Sequence, residues 1–369
     1  MTDPSKFEDA KDQLPLLSKR NHSYEDTLPI VVLELCVGAY IFFAIINRHW
    51  FRLFGQLAHL PPFQYRAFDL HGVVEMIAVT AGVAFFGAVF TPFIIRKPPP
   101  MVERILWTGI ASCTFVSLVT ILLAIFGHLY VGTLLATLVG AFAFFALTVR
   151  LLSGRASISF ILKWWRTEAD LTTLGSFWLG SKLWRRISIA YLVLTSVILI
   201  FHSITTPITD YDALIYHAAM AKILVHAHGM PFIVGPSPGL EMSANYPPMF
   251  PALGAFTLLF THGNDIFLRA LAPVAAIAMT GAAYAIGRRF GGTMLGLLAA
   301  VFTLTAQIVS LYAVFDTVYT FMGLFVAMAF LALITYVSDH SIISLALLGA
   351  SIGLLFLCSY QAAIVCHFP

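Results

Sequence analysis

The chain has 369 residues, of which 59% are hydrophobic and only 11% charged; its mean hydropathy is +0.88 and its formal charge +3. Soluble domains carry roughly a quarter charged residues, so this composition argues against a soluble fold. A net charge so close to zero gives no footing for a nucleic-acid partner. The apolar runs are continuous over about 20 residues rather than alternating at period two, which favours spanning helices over a closed barrel. The expectation is an all-α polytopic membrane protein whose first partner is the lipid bilayer.

In chain order, residues 1–27 form a polar, charged tail with no cleavable signal peptide, expected to be cytoplasmic. Four apolar runs follow at about 28–46, 72–95, 105–127 and 131–149, an N-terminal four-span module over 28–149. The segment 150–186 is rich in Arg and Lys, which puts it in the cytoplasm, and Arg96, Lys97 and Arg104 put the preceding basic loop on that side too. Arg48, Arg52 and Arg66, in what would be the first outer loop, run against this rule. Trp164, Trp165, Trp178 and Trp184 alternate with the basic residues of 150–186. That pattern predicts an amphipathic helix resting on the inner surface, with a partner-docking surface as the alternative.

Five further runs, at about 187–204, 267–287, 293–312, 317–336 and 343–362, bring the total to about nine spans in a second half covering 187–369. The extracytoplasmic loop is taken as 205–261. Lys222 is the only Lys or Arg between Thr205 and Tyr246. The apolar stretch after Pro247-Pro248-Met249-Phe250-Pro251 is short for a span and proline-bearing, so it reads as an interfacial or re-entrant helix. Arg288 and Arg289 then become cytoplasmic, and Asp316 faces the side of the 205–246 loop.

The four cysteines, Cys36, Cys113, Cys358 and Cys366, sit in apolar runs without CxxC spacing and read as buried small side chains. Glu34 and Glu75 fall inside predicted spans, where a carboxylate needs a cavity or a polar partner. Most histidines fall at span ends or in loops, which gives pigment binding little support, and no P-loop, dinucleotide fingerprint or nucleophile elbow is present. Gly292/Gly296 and Gly349/Gly353 are small-xxx-small pairs that read as ordinary close packing within a bundle. The densest chemistry is Asp210-Tyr-Asp212 in the outer loop. Two carboxylates at that spacing can act as a general base or hold a divalent cation, and a solvated loop end explains the pair as well; all three readings stay open.

Asp212-Ala-Leu-Ile-Tyr216-His217, Tyr246-Pro-Pro-Met-Phe-Pro251, Arg269, Gly287-Arg-Arg-Phe-Gly291 and Asp316 follow one another in order. Over about 187–365 this set resembles the GT-C superfamily of membrane glycosyltransferases, most of all the bacterial branch related to protein mannosyltransferases and aminoarabinose transferases. The resemblance implies transfer of a sugar from a polyprenyl-phosphate-linked donor to an acceptor on the extracytoplasmic face of the cytoplasmic membrane, with inversion. It assigns the base to Asp212, with Asp210 as neighbour or substitute, and organisation of the donor or a cation to Asp316. It also offers His217 and Lys222 as phosphate contacts. It implies no certain cofactor and leaves a divalent cation open. Two departures stand out: Ser359-Tyr360 where relatives carry Lys-Tyr, and an end at Pro369 where relatives continue through further helices. They keep a second reading in play, an inactive GT-C-like accessory subunit held among other membrane subunits. A transporter reading rests on Glu34 and Glu75 alone.

Overall fold

The computed structural model describes residues 70–95, 98–153, 158–166, 183–205, 208, 216–230, 247–314 and 318–359. The chain divides into two compact units, 1–64 with 182–184 and 65–181 with 185–369, and the elements below lie in the second, apart from the first two residues of one helix. The first expected span, with Glu34, lies outside the described residues.

All described elements are helical. They are α1 (Leu70–Ile94), α2 (Met101–Ile125), α3 (Val131–Ser153), α4 (Ile158–Arg166), α5 (Leu183–Thr205), α6 (Ala218–Ala227), α7 (Met249–Phe260), α8 (Ile266–Thr305), α9 (Gln307–Val314), α10 (Tyr319–Asp339) and α11 (Ile342–Cys358). Six of them, α1, α2, α3, α5, α8 and α10, are long and apolar enough to cross a bilayer. The protein is an all-α polytopic membrane protein.

The 40 residues of α8 are two helices rather than one. Gly291 leaves helical geometry and Gly292 takes φ 69°, a left-handed value that glycine adopts without penalty. A Cβ placed on Gly287 would lie 2.7 Å from Leu295 O and 3.0 Å from Gly296 Cα. In a continuous helix, residues nine apart are separated by about 13 Å, so the chain turns back on itself. The first arm ends at Phe290. The second starts at Thr293 and breaks at Ala306 before α9. Gly296 packs against Tyr284, whereas a Cβ placed on Gly292, Gly349 or Gly353 would meet nothing within 4 Å among the described residues.

Contacts along α2 sort the helix ends. Near its start, Glu103 binds Arg289 and Arg104 binds the carbonyls of Trp164 and Trp165. Near its finish, Ala124 O accepts from Met230 N–H, and Leu129 just beyond donates to His228 O. Glu75, near the start of α1, meets His262 at 3.5 Å, which puts the end of α7 with this second group. Ser203, near the end of α5, donates to Arg269 O at the start of α8. The molecule therefore has a Glu103 end and a His228 end.

Helix α4 is the described part of the Trp-rich segment. Trp164 is buried, and the indoles of Trp164 and Trp165 both bond to backbone carbonyls at the end of α1. Trp164 Nε1–H donates to Ile95 O at 2.8 Å, and Trp165 Nε1–H donates to Ala88 O at 3.0 Å. The second bond has a local cause. Pro92 lies inside α1 and has no N–H to give the carbonyl four residues back, which is Ala88 O. Arg104, 1% exposed, returns the favour by donating to Trp164 O and Trp165 O at 2.7 and 3.2 Å, with its guanidinium 5.5 Å from the Trp164 ring.

The segment after Pro248 forms a short helix enclosed by protein. All twelve residues of α7 are buried, among α1, α2, α6, α8 and α11. A helix apolar on every face has no side to offer water. Gly254 permits the closest approach: a Cβ there would lie 2.7 Å from Leu268 Cδ1 and 2.9 Å from Ala221 Cβ. That glycine sets the spacing of α6, α7 and α8 beneath the site described next.

Candidate functional site

At the start of α6, the described edges of three segments meet. Helix α6 opens with a π-type turn at Tyr216 and His217, a geometry found often at functional sites. Tyr216 Oη–H donates to Pro247 O at 3.2 Å. The His217 ring meets Phe250 edge-on at 5.0 Å, and Phe250 meets Phe321 in the same way at 5.5 Å. Tyr312 and Tyr319 stand 4.7 Å apart and bracket residues 315–317. The cluster thus joins the first-loop helix, the proline-rich start of α7 and the start of α10.

Asp210, Asp212 and Asp316 lie outside the described residues, as do Tyr246 and Tyr360. His217 and Lys222 are described, and the structure does not bring them together. His217 is 5% exposed on the inner face of α6, whereas Lys222 is exposed on its outer face. Nδ1 of His217 is sealed and makes no hydrogen bond. Leaving such a group unsatisfied costs about 1–3 kcal/mol. Burial pushes the imidazole down to about 4, so the ring is neutral at pH 7. It offers a phosphate one neutral hydrogen bond and no charge.

Arg269 is 8% exposed and binds Asp265 Oδ1 at 2.8 Å, one helical turn back. Its neighbour Asn264 caps the start of α8 by accepting from Ile266 N–H at 3.1 Å. Ser359, at the position where relatives carry Lys, is buried at the end of α11. Cys358 is buried beside Met249, its Sγ 3.5 Å from the thioether sulfur. Among the described residues, no group of three or more His, Cys, Asp or Glu is arranged to hold a metal ion.

Residues 245–367, a third of the chain, match the family of dolichyl-phosphate-mannose-protein mannosyltransferases. Over this stretch the chain is GT-C-like. The match, taken with the all-helical fold, supports a GT-C-like membrane glycosyltransferase. The GT-C-like stretch contains Pro247–Pro251, Arg269, the Gly287–Gly291 turn and Asp316. Asp210, Asp212, His217 and Lys222 precede it. Comparisons with curated proteins and with solved structures return no match.

Sequence reasoning missed the partners that fix this arrangement. Nothing in the local sequence ties Glu103 to Arg289, 186 residues away, although each carries a charge at the end of an apolar run. His228 was missed as well. It ends α6 in the left-handed region (φ 50°, ψ 24°), as His262 and His340 do after α7 and α10. A histidine followed by glycine after an apolar helix was the available signal for the first two.

Proposed function

We propose that the protein moves a sugar from a polyprenyl-phosphate-linked donor to an acceptor hydroxyl, near the start of α6, on the extracytoplasmic face of the cytoplasmic membrane. The observation that carries this reading is the shared ring of Phe250. His217 is five residues from Asp212 and Phe321 five from Asp316, and both His217 and Phe321 are fastened to Phe250. Five residues reach at most about 17 Å when extended, so both acids are on short tethers from one point.

In this reading Asp212, with Asp210 as neighbour or substitute, takes the proton from the acceptor hydroxyl as its oxygen attacks the anomeric carbon. The new C–O bond forms as the bond to the lipid phosphate breaks. The phosphate leaves with the electron pair from the opposite face, which inverts the anomeric centre. Asp316 orients the donor; if the reaction used a divalent cation, Asp316 would help to hold it and the cation would offset phosphate charge. His217 contributes a neutral hydrogen bond from its place against Phe250. Lys222 meets phosphate only if the donor headgroup lies along the outer face of α6. The Glu103 end, with Arg288, Arg289 and Lys163, lies on the cytoplasmic side under the same charge rule.

The test is donor turnover in nanodiscs with a mixed pool of polyprenyl-phosphate sugars, comparing wild type with Asp212→Asn. Turnover by wild type that is lost in a folded variant supports the assignment; retained turnover sinks it. No turnover by folded wild type, with other membrane subunits co-purifying, favours the accessory-subunit reading.

A further inference from the structure

The turn between α2 and α3 grips the far end of α6, the helix that follows the acids assigned to the reaction. Two backbone hydrogen bonds cross between them: Leu129 N–H to His228 O at 2.9 Å and Met230 N–H to Ala124 O at 2.8 Å. A third comes from a side chain, His228 Nδ1–H to Leu129 O at 3.2 Å. The rings of Tyr130 and His228 stack at 4.1 Å and 23°. The two chains touch so closely that a Cβ on Gly229 would lie 3.1 Å from Gly127 Cα and 3.2 Å from Ala124 O. The turn is itself braced, with Thr133 Oγ1–H bonded to His128 O and close to Tyr130 O, and Leu134 N–H bonded to Tyr130 O at 2.9 Å. Behind it, α2 packs along α7.

From this geometry we infer that the α2–α3 turn, with Tyr130 and His228, is a positioning element for the proposed active site. This rests on the glycosyltransferase reading. Helix α6 is only ten residues long, too short to hold itself in water or at an interface. Its two ends are held by different parts of the chain, His217 by the GT-C-like region and His228 by the N-terminal helices. The N-terminal helices outside the GT-C-like stretch therefore fix the direction in which α6, and the loop leading into it, present the base. Displacement of a reacting group by about 1 Å is enough to cost up to roughly 100-fold in rate.

The experiment compares Gly229→Ala, which wedges the two chains apart, and Tyr130→Ala, which removes the stack without crowding. Gly132→Ala serves as the control, since a Cβ there meets nothing within 4 Å. Three quantities are read on full-length protein in nanodiscs: kcat and KM for polyprenyl-phosphate sugar, thermal midpoint, and hydrogen exchange at residues 218–227. The expected result is a kcat about tenfold lower or more in both test variants. Donor KM should stay within about threefold, the folded fraction should match wild type, α6 should exchange faster, and the control should be unchanged. A merely structural role would lower the thermal midpoint while leaving kcat per folded molecule alone, and that result overturns the proposal. Unchanged exchange in both test variants also overturns it. If wild type itself shows no turnover, the proposed function fails, and exchange alone decides the grip: faster exchange upholds it and unchanged exchange overturns it.

Discussion

Two regions of the helix bundle, the Glu103 end and the start of α6, use their polar groups differently. At the Glu103 end, charged and indole groups make bonds that cross between helices. Glu103, with its side chain 4% exposed, receives both Nε–H and Nη2–H of Arg289, and Arg104 binds the last carbonyls of α4. The indoles of Trp164 and Trp165 bind Ile95 O and the carbonyl that Pro92 leaves free. At the start of α6, His217 keeps a sealed nitrogen without a partner, and the described chain edges lead into the segments that carry Asp210, Asp212 and Asp316. A satisfied buried polar group stabilises a fold, and one left without a partner calls for an explanation. In the proposed reading, the first region holds the fold and the second is the place for chemistry.

That contrast breaks first at the ion pair. Removing one partner of a buried pair costs about 3–5 kcal/mol. Arg289 is partly exposed, its side chain 26% accessible, so Glu103→Ala is expected near the lower figure. Thermal unfolding in nanodiscs would show it, with turnover per folded molecule unchanged. A loss of turnover without a loss of stability would put chemistry at the wrong end.

The next effect is smaller and depends on pH. His217 sits at about 4 in the fold against 6.5 when free. Between those values the unfolded chain binds more protons than the folded one, so stability is full above about pH 6.5 and falls as pH drops toward 4. The loss amounts to about 3 kcal/mol by pH 4. His217→Phe should flatten the acid limb of the stability profile by that amount. A variant that destabilises as steeply as wild type between pH 6.5 and 4 would contradict the burial of a neutral ring.

The indole bond sharpens the other side. Trp165→Phe should cost about 1 kcal/mol by leaving Ala88 O unsatisfied. Combined with Pro92→Ala, which restores a helical N–H to that carbonyl, the same change should cost close to nothing. A double-mutant cycle in chemical denaturation measures the coupling, and additive effects would refute it. The smallest effect expected is at Lys222, exposed on the outer face of α6. Lys222→Ala should change turnover by less than about twofold at saturating donor, because surface charges at such sites are screened by salt.

Much of the fold was legible because its signals are local. The apolar runs mark the helices, and Arg288-Arg289 followed by Gly291-Gly292 marks the reversal inside α8. The short length and prolines of the segment after Pro248 marked α7 as something other than an ordinary span. Its complete burial was not legible, since a twelve-residue apolar helix reads the same against lipid as against protein. The bonds of the Trp residues were not legible for a related reason. Indoles beside Lys and Arg have the composition of an interface, and only the missing N–H of Pro92, 73 residues before Trp165, shows where one of them is needed. The site divides in the same way. Asp212 and Asp316 emerged from an ordered resemblance of short motifs, whereas the inward face of His217 and the grip on His228 depend on contacts across the bundle that no local pattern carries.

The most direct test of this division is one turnover experiment on three proteins: wild type, Asp212→Asn and Glu103→Gln, each in nanodiscs with polyprenyl-phosphate sugar and each normalised to folded protein. The two substitutions make the same chemical change, a carboxylate to an amide, one at the proposed base and one in the ion pair with Arg289. The prediction is a fall of about 100-fold or more for Asp212→Asn and wild-type turnover for Glu103→Gln, with only the latter lowering the thermal midpoint. Wild-type turnover in Asp212→Asn, or its loss in a folded Glu103→Gln, would contradict the account.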